Sequence, residues 1–111
     1  MIDCPDAVKA DEIFTVTAAI GKEIAHPNTT EHHIRWIKLF YHAQGEKFPN
    51  QIGSFEFSAH GEHAQGPNQG FVYTHHAVTA SLKVKKPGTL YATSYCNIHG
   101  LWDNSKEISL K

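Results

Sequence analysis

The sequence predicts an all-β protein, an antiparallel β-sandwich of immunoglobulin-like type with about seven strands. Three observations indicate this class. Short stretches that alternate apolar and polar residues recur along the chain, glycine and proline separate them, and no long segment has the periodicity of a helix. Because 111 residues with a 41% hydrophobic fraction suit a single core, residues 1–111 are expected to form one domain.

The first half of the chain supplies three of the predicted strands. Residues 12–20 alternate clearly between apolar side chains and threonines, and residues 21–23 end this pattern. Residues 31–43 are ambiguous, since their apolar content allows a short helix. Their β-branched and aromatic residues favour a strand that is covered on much of both faces. After a turn, residues 51–59 form the next predicted strand.

The second half begins with a glycine-rich loop at residues 60–70, which is long enough to suggest a functional role. Four further strands are predicted after it, at residues 71–74, 76–85, 89–95 and 107–110. The second of them has the cleanest alternation in the chain. The third leads directly into Cys96.

Composition excludes several classes of function. The net charge of −1 gives no basic surface for nucleic acid. No apolar run approaches the ~20 residues of a membrane span, and the N-terminus has neither the basic start nor the apolar core of a secretory signal. A cytoplasmic location is therefore expected, in which Cys4 and Cys96 are thiols or ligands rather than a disulfide.

One group of residues predicts a metal site. Cys96 and His99 are separated by two residues on an expected turn. Thiolate and imidazole are the donors that borderline transition metals favour. His26, in a polar loop, and His32, at the start of the next strand, can converge on the same end of the sandwich. Such a set excludes Mg and Ca and leaves zinc, iron or copper. His33 points to the opposite strand face from His32, so at most one of that pair is a ligand.

The remaining candidates have simpler interpretations. The other paired histidines are predicted to be surface residues at strand ends: His60, His63, His75 and His76. Cys4 is expected to be an unreactive buried or edge thiol. A nucleophile formed by Cys96 and His99 is disfavoured, because no oxyanion-hole glycine motif and no orienting Asp or Asn can be assigned.

Two longer motifs carry a family resemblance. Residues 26–36 read HPNTTEHHIRW, and residues 94–102 read SYCNIHGLW. In this order and separation they closely resemble the motifs of the one-iron superoxide reductases, which comprise the neelaredoxins and the iron domain of desulfoferrodoxins. Residues 57–62 and 66–68 also fit, and the resemblance covers nearly the whole chain.

The resemblance implies an immunoglobulin-like sandwich with one mononuclear non-haem iron, bound by four equatorial histidines and an axial cysteine thiolate. By position, His26 and His32 match two Nε2 ligands, and His99 matches the Nδ1 ligand. Cys96 matches the axial thiolate, and with His99 it would carry the catalysis. The family reduces superoxide by one electron to hydrogen peroxide, which implies a small electron donor such as rubredoxin and a homo-oligomer, dimer or tetramer. Backbone N–H groups around Ile98 and His99 are expected to hydrogen-bond the sulfur.

The sequence departs from the family at its start. Family members usually begin with a Glu-Lys-His-x-Pro segment that supplies the fourth equatorial histidine and a lysine. Here Ile2-Asp3-Cys4-Pro5 begins just after the corresponding position, and no histidine precedes His26. The expectation is either a truncated start or a variant with an incomplete site and impaired activity. The alternative function is a non-catalytic or zinc-binding β-sandwich, since zinc accepts a Cys-His₃ set.

Overall fold

The computed structural model describes residues 1–21 and 24–111. In chain order its strands are β1 (Ile2–Asp3), β2 (Ala7–Val8), β3 (Phe14–Ala19), β4 (Ile34–Ala43), β5 (Asn50–Glu56), β6 (Ala77–Leu82), β7 (Gly88–Cys96) and β8 (Gly100–Leu110). Across these two ranges we find no helix with the length and apolar character of a membrane span. Lys22 and Glu23, which belong to the predicted break after the first long strand, lie outside the described residues.

The strands form two sheets. One has three strands in the order β1-β3-β6, and the other has five in the order β2-β8-β7-β4-β5. Among the described strands, every pair is antiparallel except β2 with β8. The predicted all-β, immunoglobulin-like sandwich is confirmed, with eight strands rather than seven.

The ambiguous segment at residues 31–43 contains strand β4, which lies inside the larger sheet between β7 and β5. Ile37 and Leu39 are each 1% exposed and share an apolar cluster with Ala18 of β3 and Val78 of β6. A central strand needs apolar side chains that fit a pleated, buried surface, which the β-branched and aromatic residues of this segment supply. The preference for a strand over a helix is therefore confirmed.

The prediction of a strand at residues 71–74 is wrong. In this segment only Tyr73 makes a β-bridge, and its partner is His60 in the preceding loop. Phe71 is 93% exposed. The segment pairs with its own loop rather than with a sheet edge, so its aromatic and β-branched residues do not make it a strand of the sandwich.

The two ends of the chain also differ from expectation. β8 begins at Gly100 rather than at residue 107, because its polar central residues pair along β7 while their side chains face solvent. β1 and β2 are two residues each, too short to show a periodic pattern. Sheet pairing therefore extends further than hydrophobic alternation indicates.

β7 and β8 form a hairpin whose turn carries the Cys-x-x-His motif. Cys96 pairs with Gly100, which leaves residues 97–99 as the turn. Gly100 has a φ of 81°, in the left-handed region that follows a three-residue hairpin loop and that glycine adopts without steric cost. The hairpin thus brings the Cys96 sulfur and the His99 ring to the same end of the sandwich.

We expect Leu90→Ala to destabilise the fold without altering the end of the sandwich that carries Cys96 and His99. Leu90 is fully buried, in an apolar cluster separate from the one that contains Cys96. Truncating such a side chain costs about 2–5 kcal/mol of unfolding free energy, which urea denaturation measures. The control, Leu101→Ala, removes a side chain that is 65% exposed and should change stability by less than about 0.5 kcal/mol. Equal effects of the two substitutions would contradict this description of the core.

Candidate metal centre

The four residues predicted as ligands come together at one end of the sandwich. His26 and His32 lie on the connection between β3 and β4, Cys96 is the last residue of β7, and His99 lies in the hairpin turn. One potential ligand atom from each residue lies within 4.8 Å of the others. The rings of His26 and His99 each lie 4.9 Å from that of His32, both edge to face. Within the described residues, this group comprises these four side chains.

Cys96 is held rigidly at the base of the group. Its residue is 1% exposed, and its backbone pairs with that of Ile34 in β4. The backbone N–H of His99 donates to the Cys96 sulfur at 3.4 Å, and His99 Nδ1 lies 3.9 Å from the same atom. The expected hydrogen bond from the turn backbone to the sulfur is confirmed for His99. Such a bond tunes the charge that a thiolate can donate.

The ring of His26 is oriented by its own loop. His26 Nδ1 lies 2.7 Å from the carbonyl oxygen of Pro27. A carbonyl can only accept, so Nδ1 carries the proton and Nε2 keeps its lone pair. This tautomer presents Nε2 as a ligand atom, in the way that metal-binding histidines are commonly held by a carbonyl.

His32 contributes a ring nitrogen that has no hydrogen-bond partner among the described residues. Its Nε2 atom is buried and makes no hydrogen bond to the described residues. Because an unpaired buried polar atom is unfavourable, a ligand for this nitrogen is the simplest explanation. Burial chiefly lowers the pKa of His32, and the neighbouring His26, His99 and His33 lower it further. The lowered pKa favours the neutral ring, which is the form that binds metal.

The group borders a cavity on one side and solvent on the other. The cavity, of about 330 Å³, is lined by His26, Cys96 and His99 and by apolar residues that include Ile34 and Ile37. His99 is exposed, whereas Cys96 is buried. A small ligand can therefore approach from the side of His99, while the sulfur stays shielded from water.

The described donor set fits a transition metal. One thiol sulfur and three imidazoles converge, one buried nitrogen lacks a partner, and one ring is fixed in the tautomer needed for binding. Sulfur and nitrogen donors of this kind suit iron, zinc or copper and do not suit Mg or Ca.

Two histidines that were predicted to be surface residues are buried. His60 is 3% exposed and His76 is 8% exposed, so those two predictions are wrong. His76 packs against His26, with ring centroids 5.7 Å apart, and His60 packs against His33. The sequence does not indicate their burial, because connecting segments ordinarily lie in solvent and the burial depends on distant parts of the chain. The prediction that His33 faces away from the cluster holds, since the cluster contains only His32 of that pair.

Burial of His76 leads to a prediction about pH. Burial is the main cause that lowers the pKa of His76 from its ordinary 6.5, and His75, His26 and His60 add to it. In the unfolded chain the ring regains its ordinary pKa. At pH values between the lowered folded pKa and 6.5, the unfolded state therefore binds more protons than the folded state. Stability of the metal-free protein is therefore full above pH 6.5 and falls as the pH drops from there towards the lowered folded value.

Melting temperatures of the metal-free protein at several pH values measure this effect. His76→Gln should reduce the loss on acidification by the share due to His76, with the share of His32 remaining. His63→Gln, at an exposed position in the 60–70 loop, should leave the loss unchanged. Wild type and His76→Gln with the same pH slope would show that His76 does not contribute.

Fold and cluster together define a class, a β-sandwich protein with a Cys-His₃ group able to hold a metal ion at one end. Residues 1–105 match the model of the desulfoferrodoxin family. The chain is 63% identical over 110 residues to neelaredoxin of Megalodesulfovibrio gigas, which covers 99% of this chain and 85% of the relative. The chain belongs to the desulfoferrodoxin family.

Two further relatives agree with this assignment. The superoxide reductase of Pyrococcus furiosus is 55% identical over 100 residues, covering 90% of this chain and 79% of the relative. The structure of the reduced superoxide reductase (neelaredoxin) of Archaeoglobus fulgidus superposes with a TM-score of 0.90 at 46% identity, covering 99% of this chain and 88% of that one. Both the sequence and the fold of the chain therefore match this family along most of their length.

Proposed function

We propose that the chain is a superoxide reductase, which reduces superoxide by one electron to hydrogen peroxide at a mononuclear non-haem iron. The proposed ligands are His26, His32, Cys96 and His99, of which Cys96 and His99 act in catalysis. The observation that carries the proposal is the convergence of one thiol and three imidazoles within 4.8 Å in a member of the desulfoferrodoxin family. The unpartnered Nε2 of His32 supports it independently.

Ferrous iron, if held by these residues, would supply the electron that reduces superoxide. The protein supplies the surroundings. A deprotonated Cys96 places negative charge at the base of the site, and the N–H of His99 moderates that charge through its hydrogen bond to the sulfur. Reduction of superoxide to hydrogen peroxide consumes one electron and two protons. Exposure of His99 lets water deliver those protons.

Iron uptake tests the ligand set. The metal-free chain is mixed anaerobically with ferrous iron, and the bound iron per chain is counted before and after oxidation. We expect one iron per chain and, on oxidation, a visible absorption band from charge transfer between thiolate and iron. A chain that takes up no iron, or that takes up iron without this band, would contradict the proposal.

Zinc is the second candidate metal, because a Cys-His₃ set suits tetrahedral zinc. Because zinc binds nitrogen and sulfur sites more tightly than ferrous iron in general, the metal content of the chain purified from cells distinguishes the two functions. A chain purified from iron-replete cells that holds only zinc would favour a non-catalytic, zinc-binding sandwich.

We further propose that the electrons come from a small redox protein such as rubredoxin. An exposed apolar surface beside the site supports this, since Ile98 is 59%, Leu101 65% and Trp102 62% exposed. Exposed apolar surface close to a functional site is typical of a docking surface. Mixing reduced rubredoxin with the oxidised iron protein and following the rubredoxin spectrum measures the transfer.

We also propose a single iron-binding domain over residues 1–111 that assembles as a homo-oligomer, dimer or tetramer, in the cytoplasm. Among the described residues, β8 pairs with β2 only at Ser109 and Leu110, which leaves most of its outer edge open to another chain. Two free cysteines support a reducing compartment. Sedimentation of the purified protein measures the assembly, and cell fractionation measures the location.

A further inference from the structure

Two buried histidines outside the ligand group stack on each other. The rings of His33 and His60 lie nearly parallel, with centroids 3.5 Å apart and an interplanar angle of 7°. His33 is 6% exposed and His60 is 3% exposed. Histidines are seldom this well buried unless their ring nitrogens have partners. Their partners therefore show what the pair does.

Each ring nitrogen of His60 lies beside an oxygen atom that can only accept, and a ring with one N–H donates to the closer of the two, the Phe57 carbonyl. His60 Nε2 lies 2.6 Å from the carbonyl oxygen of Phe57, and its Nδ1 lies 3.3 Å from the side-chain oxygen of Asn28. The side-chain nitrogen of Asn28 donates to the carbonyl of Thr74 at 2.8 Å, which fixes the orientation of that amide. Asn28 is two residues from His26. The ring of His60 therefore packs directly against the loop that carries the first proposed ligand.

The backbone of His60 anchors the same loop further along. Its carbonyl accepts a hydrogen bond of 2.7 Å from the hydroxyl of Thr30. Thr30 lies between His26 and His32, two residues before the latter. His60 thus holds both sides of the segment that separates the first two proposed ligands.

His33, stacked on His60, connects the remaining ligands. Its Nδ1 lies 2.9 Å from the carbonyl of Thr29, and its backbone N–H donates to the side-chain oxygen of Asn97 at 2.9 Å. Asn97 returns a backbone hydrogen bond of 3.2 Å to the carbonyl of His33, and its side-chain nitrogen donates to the carbonyl of Glu31 at 2.8 Å. Asn97 follows Cys96 in the hairpin turn that also carries His99. His33 is therefore attached to the loop through its ring and to the turn through its backbone.

We propose that His60 is a positioning residue for the metal site, which through its backbone carbonyl, its ring and the His33 ring stacked on it fixes the relative placement of the two segments from which all four ligands come. The inference rests on the proposed metal site and extends it to a side chain that touches none of the ligands. Ligand atoms must be placed within a few tenths of an ångström for tight binding, and residues behind the ligands supply that precision. Three of the four proposed ligands lie in loops or turns, which need such support more than strands do.

Substitutions at His60 test the inference with Co²⁺ as the probe, because its absorption bands report the geometry of a thiolate-containing site. His60→Phe keeps a ring for stacking and removes the hydrogen bond from the His60 ring to the Phe57 carbonyl, whereas His60→Gln keeps an amide that can replace it. The control is His63→Gln, at an exposed position in the same loop. Co²⁺ affinity, the position of the Co²⁺ bands and the melting temperature are measured for each variant.

We expect His60→Phe to lower Co²⁺ affinity by about 10–100-fold and to shift the bands, as changes behind metal ligands commonly do. His60→Gln should recover part of the affinity, and His63→Gln should match the wild type. If His60→Phe and His60→Gln bind Co²⁺ with wild-type affinity and spectrum, the inference is wrong. It is also wrong if neither variant folds, since His60 is then a general core residue.

The outcome also separates this inference from the proposed function. A wild-type chain that takes up no Co²⁺ contradicts the metal site itself, and this inference with it. A wild-type chain that binds Co²⁺ alongside unaffected His60 variants contradicts the inference alone.

Discussion

Replacing Cys96 with serine abolishes the visible absorption band of the oxidised iron protein and lowers superoxide reduction by more than about 100-fold. Substitution of a residue that only supports a metal ligand lowers activity by at most about 100-fold. Loss of a ligand itself should have a larger effect. A serine hydroxyl stays protonated near neutral pH and is a hard oxygen donor, so it replaces neither the charge nor the softness of the thiolate. Absorption spectra and the rate of superoxide loss under excess reductant measure the two effects.

The control for this experiment is the other cysteine. Cys4→Ser changes a thiol near Lys106, whose ammonium donates to the Cys4 carbonyl at 2.7 Å, and leaves the ligand group untouched. It should keep both the band and the rate. A Cys96→Ser protein that kept its metal and its activity would show that the sulfur is not part of the site.

The second large effect is expected from His32→Leu, which should lower iron affinity by more than about 100-fold by the same reasoning. It should not destabilise the metal-free protein. The Nε2 atom of His32 is buried without a partner, and removing an unsatisfied polar atom relieves an unfavourable feature of the fold. Iron binding measures the loss of affinity, and the melting temperature of the metal-free chain measures its stability.

His26→Leu is the matched comparison, because it removes a proposed ligand whose ring does have a hydrogen bond, from Nδ1 to the Pro27 carbonyl. It should lose iron affinity to a similar degree and bring no gain in stability. If His32→Leu melts well below wild type without metal while His26→Leu does not, His32 is a structural residue and not a ligand.

The local pattern of apolar and polar residues predicted most of the strands. Alternation located β3, β6 and β7, and side-chain type resolved β4 as a strand, because these properties depend on burial of one or both faces. The spacing of Cys96 and His99, with His26 and His32 on a polar loop, also predicted the group that converges. These features are local, or repeat along the chain.

What the sequence did not predict depends on contacts between distant segments. The polar half of β8 is a strand only because β7 pairs with it. His60 lies in a loop of polar composition and His76 lies directly before β6, and only folding places them in the interior. Asn97 bridges the hairpin turn to His33 across 64 positions in the chain. The expectation of an incomplete ligand set remains a prediction.

The products of superoxide consumption test the central claim most directly. The iron-loaded protein is given superoxide together with a reductant, and both hydrogen peroxide and molecular oxygen are measured. The proposed reduction yields hydrogen peroxide from every superoxide consumed and releases no oxygen, because the electron comes from the protein and not from a second superoxide. Release of oxygen together with peroxide would show dismutation instead, and no loss of superoxide above the iron-free control would show that the site is not catalytic.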